Sequence, residues 1–155
     1  MPQGQAFDNS ATIGRMKRRS FLLAMLVPAK VHAHSTKVGN IAIGHSWALP
    51  SRGTDGQLFF PLFNNGSEPD ALTAATSEIC EKIELRANDR YEEAPLQSIL
   101  LEPAKPVPMR PTARHLRLAG LKRHLNEYDS FKILLEFLHA GKVEIEVIVE
   151  PSAGD

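Results

Sequence analysis

From Val143 to Val149 the chain alternates, with Val143, Ile145, Val147 and Val149 on one parity and Glu144, Glu146 and Ile148 on the other. A period of two places the sets on opposite faces of an extended chain and predicts a half-buried β-strand. The same reading gives earlier strands. Ile41, Ile43 and His45 alternate with Ala42, Gly44 and Ser46, and Leu58 to Phe63 is a short apolar run that stops at the turn sequence NNGSEPD. Residues 82–85, 95–101, 115–119 and 132–138 follow, the last joined to 143–149 through the turn HAGK. No amphipathic helical pattern intervenes, so short strands separated by Pro and Gly predict an all-β Greek-key β-sandwich. The stretch PAKPVPMRP has four prolines in nine residues, which removes ladder donors and predicts an edge or a long surface loop.

Alternation also assigns faces. Leu116 and Leu118 are predicted core, leaving His115 and Arg117 to face outward, and Phe59, Phe63, Phe131, Leu135 and Phe137 join the core. His45 and Trp47 stand on one side of the first strand, with Trp47 a core anchor and His45 satisfied by a backbone group or water.

Residues 1–33 are excluded from that domain. The sequence MKRRSFLLAML has a basic start, then a short apolar run from Phe21 to Val27, and VHA at 31–33 offers small residues suited to a signal peptidase. Arg18-Arg19 followed by Ser20, Phe21 and Leu22 is similar to the twin-arginine export motif. The expectation is an exported, periplasmic protein with a domain at 34–155 and no membrane span in its mature form. From His34 onward 17 Asp+Glu face 13 Lys+Arg, so nothing resembles a basic stripe for nucleic acid. With one cysteine, Cys80, no internal disulfide forms, and Cys80 reads as a buried small hydrophobe.

Catalytic signatures are missing: there is no Gly-rich phosphate loop, G-x-S-x-G elbow, H-E-x-x-H or paired-Cys zinc spacing, so the chain reads as a non-enzyme. The NGS at Asn65 is accounted for by its turn. Cleavage after Ala33 would leave His34 first, its free amine and imidazole forming a Cu(II) chelate.

The blocks VGNIAIGHSWALP, LFFPLFNNGSEPDALTAATS, EKIELR and RHLRLAGLKRHLNEYDSFKILLEFLHAGKVEIEVIVE resemble, in order, those of the periplasmic PCu(A)C copper chaperones over nearly all of 38–150. The resemblance implies a cupredoxin-like β-sandwich that binds copper and passes it to a receiving protein, towards cytochrome oxidase assembly. It also implies a ligand set of a His, a Met and a His-x-Met pair, soft donors suited to Cu(I). Carried onto this chain, the first His falls at Arg86, the Met at Glu93, and the pair at His115 and Arg117. One ligand of four is kept. A guanidinium has no lone pair to give, and at about 4 Å and an effective dielectric near 20 it opposes a cation by about 4 kcal/mol. The residues suggest an ion-pair plug in the metal's place, with Glu93 between Arg86 and Arg117 and His115 beside it. The alternative to copper transfer is a metal-free binding or scaffold protein of the same fold that recognises a protein partner.

Overall fold

The run LFFPLF, expected as one strand, is two. Its Pro61 has no N–H for a ladder, and the chain changes sheets there: Asp55–Phe59 runs in one sheet and Leu62–Asn64 in the other. Phe59 and Phe60 are both buried because this corner has sheet on each side, whereas Phe63, expected in the core, is half-exposed. A second crossing runs alongside. Ile41–Ile43 lies in the small sheet and Trp47–Ala48 in the large one, so Gly44–Ser46 interrupts the predicted first strand. The Gly44 N–H donates to the Pro61 carbonyl at 2.9 Å, and a Cβ on Gly44 would sit 2.3 Å from Pro61 Cγ, so only glycine fits.

The computed structural model describes residues 35–151, which form eleven strands and, among the described residues, no helix. In chain order these are β1 (Thr36–Val38), β2 (Ile41–Ile43), β3 (Trp47–Ala48), β4 (Asp55–Phe59), β5 (Leu62–Asn64), β6 (Asp70–Thr76), β7 (Cys80–Arg86), β8 (Ile99–Leu101), β9 (His115–Leu121), β10 (Ser130–Phe137) and β11 (Gly141–Val149). A three-stranded sheet has the order β1-β2-β5, and an eight-stranded sheet the order β7-β9-β4-β3-β11-β10-β6-β8. Neighbours are antiparallel except β3 with β11. The all-β, cupredoxin-like sandwich expected from the sequence is what forms. The expected leader, 1–33, and His34 lie outside the described residues.

Strand β6, DALTAAT, was not predicted: Asp and Ala are poor strand formers, and its place is set by pairing with β10 and β8 on either side. The β10–β11 hairpin forms as read, from Ser130↔Ile148 to Phe137↔Gly141. Its turn is fixed by the buried Asp70 carboxylate, which accepts the N–H groups of His139 and Ala140, each at 2.9 Å, and of Ala71 at 2.7 Å. The Pro-rich stretch is a loop that touches β5 twice, through reciprocal Leu62 and Val107 backbone bonds and through Pro103–Ala104 beside Asn64. The small sheet meets β8 through a single residue. Asn64 of β5 takes the Ala104 N–H on its carbonyl, while its side-chain amide donates to the Leu101 carbonyl at 2.9 Å.

The core includes Phe131, Ile133, Leu135, Phe137, Leu116 and Leu118, as alternation required, and Cys80 is buried in it. Trp47 is half-exposed, stacked on Phe59 with ring centroids 4.4 Å apart, and its neighbours Ser46 and Ala48 are buried instead. His45 is exposed and paired with the Glu150 carboxylate rather than with a backbone group.

Candidate functional site

Strands β7, β9 and β4 are adjacent, and their register fixes which side chains meet. Arg86 stands opposite His115, Glu84 opposite Arg117, and Arg117 opposite Gln57. Side chains two apart on a strand share a face, so the face away from Leu116 and Leu118 carries Glu84, Arg86, His115, Arg117, Asp55 and Gln57 together.

His115 was expected to face water, yet it is fully buried. The loop after β7 lays Tyr91 over it. The Tyr91 hydroxyl donates to His115 Nε2 at 2.8 Å and accepts from Gln57 Nε2 at 2.9 Å, and Gln57 also donates to the Pro111 carbonyl at 3.1 Å. On the other side of the ring Nδ1 donates to the Ala113 carbonyl at 2.8 Å. Both nitrogens are used, and the tautomer follows: proton on Nδ1, lone pair on Nε2 filled by the phenol. Burial pushes the His115 pKa below its ordinary value; the Ala113 carbonyl opposes this, and the Arg86 charge reinforces it.

Arg86 is 2% exposed. Its Nη2 donates to the carbonyls of Arg90 at 2.8 Å and Glu93 at 2.9 Å, its Nη1 reaches Glu84 at 3.4 Å, and its Nε has no partner among the described residues. The guanidinium thereby closes the 87–95 loop from beneath. Arg117 donates through Nε and Nη2 to Asp55 and through Nη1 to Glu84 at 3.2 Å. Tyr91 lies between the two, its ring centroid 4.3 Å from the Arg117 guanidinium carbon and 5.2 Å from that of Arg86. The hydrogen bond from Arg117 to Asp55 holds the Arg117 pKa above its usual range, against the opposing effect of burial and with help from the Asp55 and Glu84 charges. Burial favours a neutral Glu84, but hydrogen bonds and charge from Lys82 and Arg117 outweigh that and leave its pKa lowered.

The charges meet, though not as a plug centred on Glu93. The Glu93 carboxylate is outside, on Arg90 Nε at 3.1 Å and Asn88 at 3.1 Å, and only its backbone carbonyl reaches Arg86. The carboxylate between the arginines is Glu84, with Asp55 on the far side of Arg117. Glu84 precedes Arg86 by two on the same face of β7, whereas Glu93 lies beyond the strand. Sequence reading missed Glu84, Asp55, Gln57 and Tyr91. A signal existed: E-L-R on β7 and H-L-R on β9 have the same period of two and pair in antiparallel register.

This face does not suit Cu(I). Its imidazole lone pair is occupied and its two cations are guanidiniums. The nearby thioether, Met109, packs against the core with its sulfur 3.5 Å from the Phe60 N–H. Among the described residues no group of three or more His, Cys, Asp or Glu is placed to hold a metal.

Solved structures similar to this chain include PCuAC domains in apo and copper-bound forms. The apo PCuAC domain from PmoF1 matches with TM-score 0.70 at 22% identity, covering 77% of this chain and 100% of that one. The copper-bound PCuAC domain from PmoF2 matches with TM-score 0.67 at 29% identity, over 77% of this chain and 99% of that one. The Cu(I) form of DR1885 from Deinococcus radiodurans matches with TM-score 0.57 at 19% identity, over 76% of this chain and 81% of that one, a likeness of fold. No curated protein sequence matches. The family model described as "Putative lipoprotein LpqE-like" matches residues 41–149, nearly the whole sandwich. By this match the chain belongs to the LpqE-like family, and its fold is that of the PCuAC copper chaperones.

Proposed function

We propose that this protein is an exported, copper-chaperone-like binding protein that keeps the PCuAC scaffold but carries no Cu(I) at the position implied by the resemblance, and acts on a protein partner. The observation that carries this reading is Arg86. Aligned with the first ligand His, it is buried and committed to two loop carbonyls, so a cation arriving there would have to displace a side chain that holds the loop. Export to the periplasm is supported by the basic and apolar segment from Met16 and by the lipoprotein description of the family. No helix of the described residues is long and apolar enough to cross a membrane.

Titration of the full chain with Cu(I) against a competing chelator tests the reading, alongside the double variant Arg86→His/Arg117→Met, which restores three of the four soft ligands. The wild type is expected to leave copper with the chelator and the variant to gain affinity. Tight one-to-one binding by the wild type that His115→Gln abolishes would instead establish copper carriage, with transfer towards cytochrome oxidase assembly. That second reading is favoured by the 29% identity to a copper-bound domain.

A further inference from the structure

Two turns meet at the end of the sandwich far from His115, and neither contains a carboxylate. SRGT at 51–54, between β3 and β4, and LKRHL at 121–125, closing β9, bring Arg52, Lys122, Arg123 and His124 around one hollow of about 490 Å³, with Gly53, Thr54 and Leu121 as the rest of its lining. The backbone there is fixed. Ser51 and Leu125 exchange N–H to carbonyl bonds at 3.0 and 2.8 Å, the Leu121 N–H donates to the Thr54 carbonyl at 2.7 Å and the Lys122 N–H to the Ile79 carbonyl at 2.8 Å, while the buried Leu125 anchors the second turn in the core. The cationic side chains are left free. Arg52, Lys122 and His124 are exposed, and among the described residues none of them has an ion pair. Arg123 alone is engaged, on the Asp129 carboxylate at 3.2 Å and the Ser130 carbonyl at 3.3 Å. The other carboxylates at this end do not neutralise the rest: Asp55 is held by Arg117, Glu81 lies against Gly120 without an ion pair, and Glu127 is not part of the lining. From residue 34 onward the chain is net acidic, with 17 Asp+Glu against 13 Lys+Arg, yet its counter-charges are elsewhere. Like charges held together repel, and nothing inside the hollow offsets this.

We propose that this hollow is a docking site for an acidic segment of a partner protein, Arg52 and Lys122 each taking a carboxylate and the His124 imidazole donating beside them. Charge complementarity gives the sign, and the fixed backbone spares the partner the cost of ordering the two turns. Shape gives the class of occupant. A volume of this size is that of a pocket for a multi-group ligand rather than for a single ion, so it suits several acidic side chains carried on one chain. A bilayer fits it less well, because the one apolar residue of the lining, Leu121, is half-buried and offers nothing to insert. The proposal adds a partner chemistry to the binding-protein reading without resting on the His115 cluster. His115 and Leu121 close opposite ends of β9, roughly 20 Å apart at about 3.3 Å per residue.

The test titrates isotopically labelled full chain with a synthetic glutamate-rich peptide, with a lysine-rich peptide, inorganic phosphate and phosphatidylglycerol vesicles as separate arms, and repeats it on the double variant Arg52→Gln/Lys122→Gln. Salt-sensitive shifts centred on residues 52–54 and 121–124 are expected with the glutamate-rich peptide and not with the lysine-rich one, about fivefold to tenfold weaker in the double variant. The melting midpoint of the variant is expected to be unchanged, since neither side chain is bonded within the fold; a lower midpoint would assign the two cations to holding the turns and overturn the docking role. An equal response to phosphate at matched charge would make this a simple anion site, and vesicle binding without peptide binding would make the occupant a membrane surface. Either result overturns the acidic-segment assignment, as do absent shifts or shifts centred elsewhere. The copper titration reads His115 and the peptide titration reads the far end of β9, so either reading can fail alone.

Discussion

A single buried imidazole gives this molecule its response to mild acid. His115 is buried neutral, with an ordinary pKa of 6.5 in the unfolded chain and a lower one in the fold. Between those values the unfolded state binds more protons, so stability is fully present above about pH 6.5 and falls as the pH drops through the folded pKa. Urea unfolding at pH 7.5 and pH 5 is expected to show this loss in the wild type and a flatter profile in His115→Gln. Glu84 acts in a separate window: its folded pKa is below 4.5, and its contribution is lost only as pH falls through that lower value. Arg86 differs from the surface arginines in kind. Arg86→Met leaves two loop carbonyls without donors and is expected to cost about 2–4 kcal/mol in urea unfolding, and Arg86→Lys should recover little because an ammonium lacks the planar fork. Glu93→Ala, by contrast, removes an exposed pair and should cost about 0.5 kcal/mol or less. His115, Arg86 and Arg117 were legible as residues. Their real partners were not, because Glu84 and Gln57 arrive by cross-strand register and Tyr91 by a loop whose path no periodicity describes.

Among the elements, alternation located β10 and β11 to within two residues at each end, because one face of each is largely buried and the other polar or charged. It failed where a strand changes sheets. At Gly44–Ser46 and Phe60–Pro61 the chain leaves one sheet for the other, so the alternation of faces is broken within an apolar run and two strands read as one. The close approach there makes a sharp prediction. Gly44→Ala must push Pro61 or the β2–β5 pairing aside, and a loss of about 1–3 kcal/mol is expected in thermal or urea unfolding. In β6 the informative residue is Asp70, whose carboxylate takes three backbone N–H groups. Asp70→Ala strands those donors and is expected to cost about 3 kcal/mol or more, with exchange protection lost first at His139 and Ala140.

For the molecule as a whole, the fold was readable because the order of its blocks follows the copper chaperones, and the solved PCuAC domains have the same architecture. The site was readable only in outline: substitution of guanidiniums for soft donors is plain in the sequence, while burial of His115 beneath Tyr91 depends on how two loops fold over one sheet face. Asn64 gives the closing consequence. Where the small sheet meets β8, a repeating backbone ladder is replaced by one amide side chain and one carbonyl. Each sheet is thus zipped by its own ladders while the two are buttoned together at this seam, and a button opens without the rest. The amides of Ile99–Leu101 should exchange with solvent by a local opening whose free energy is well below that of global unfolding, and Asn64→Ala should lower it further.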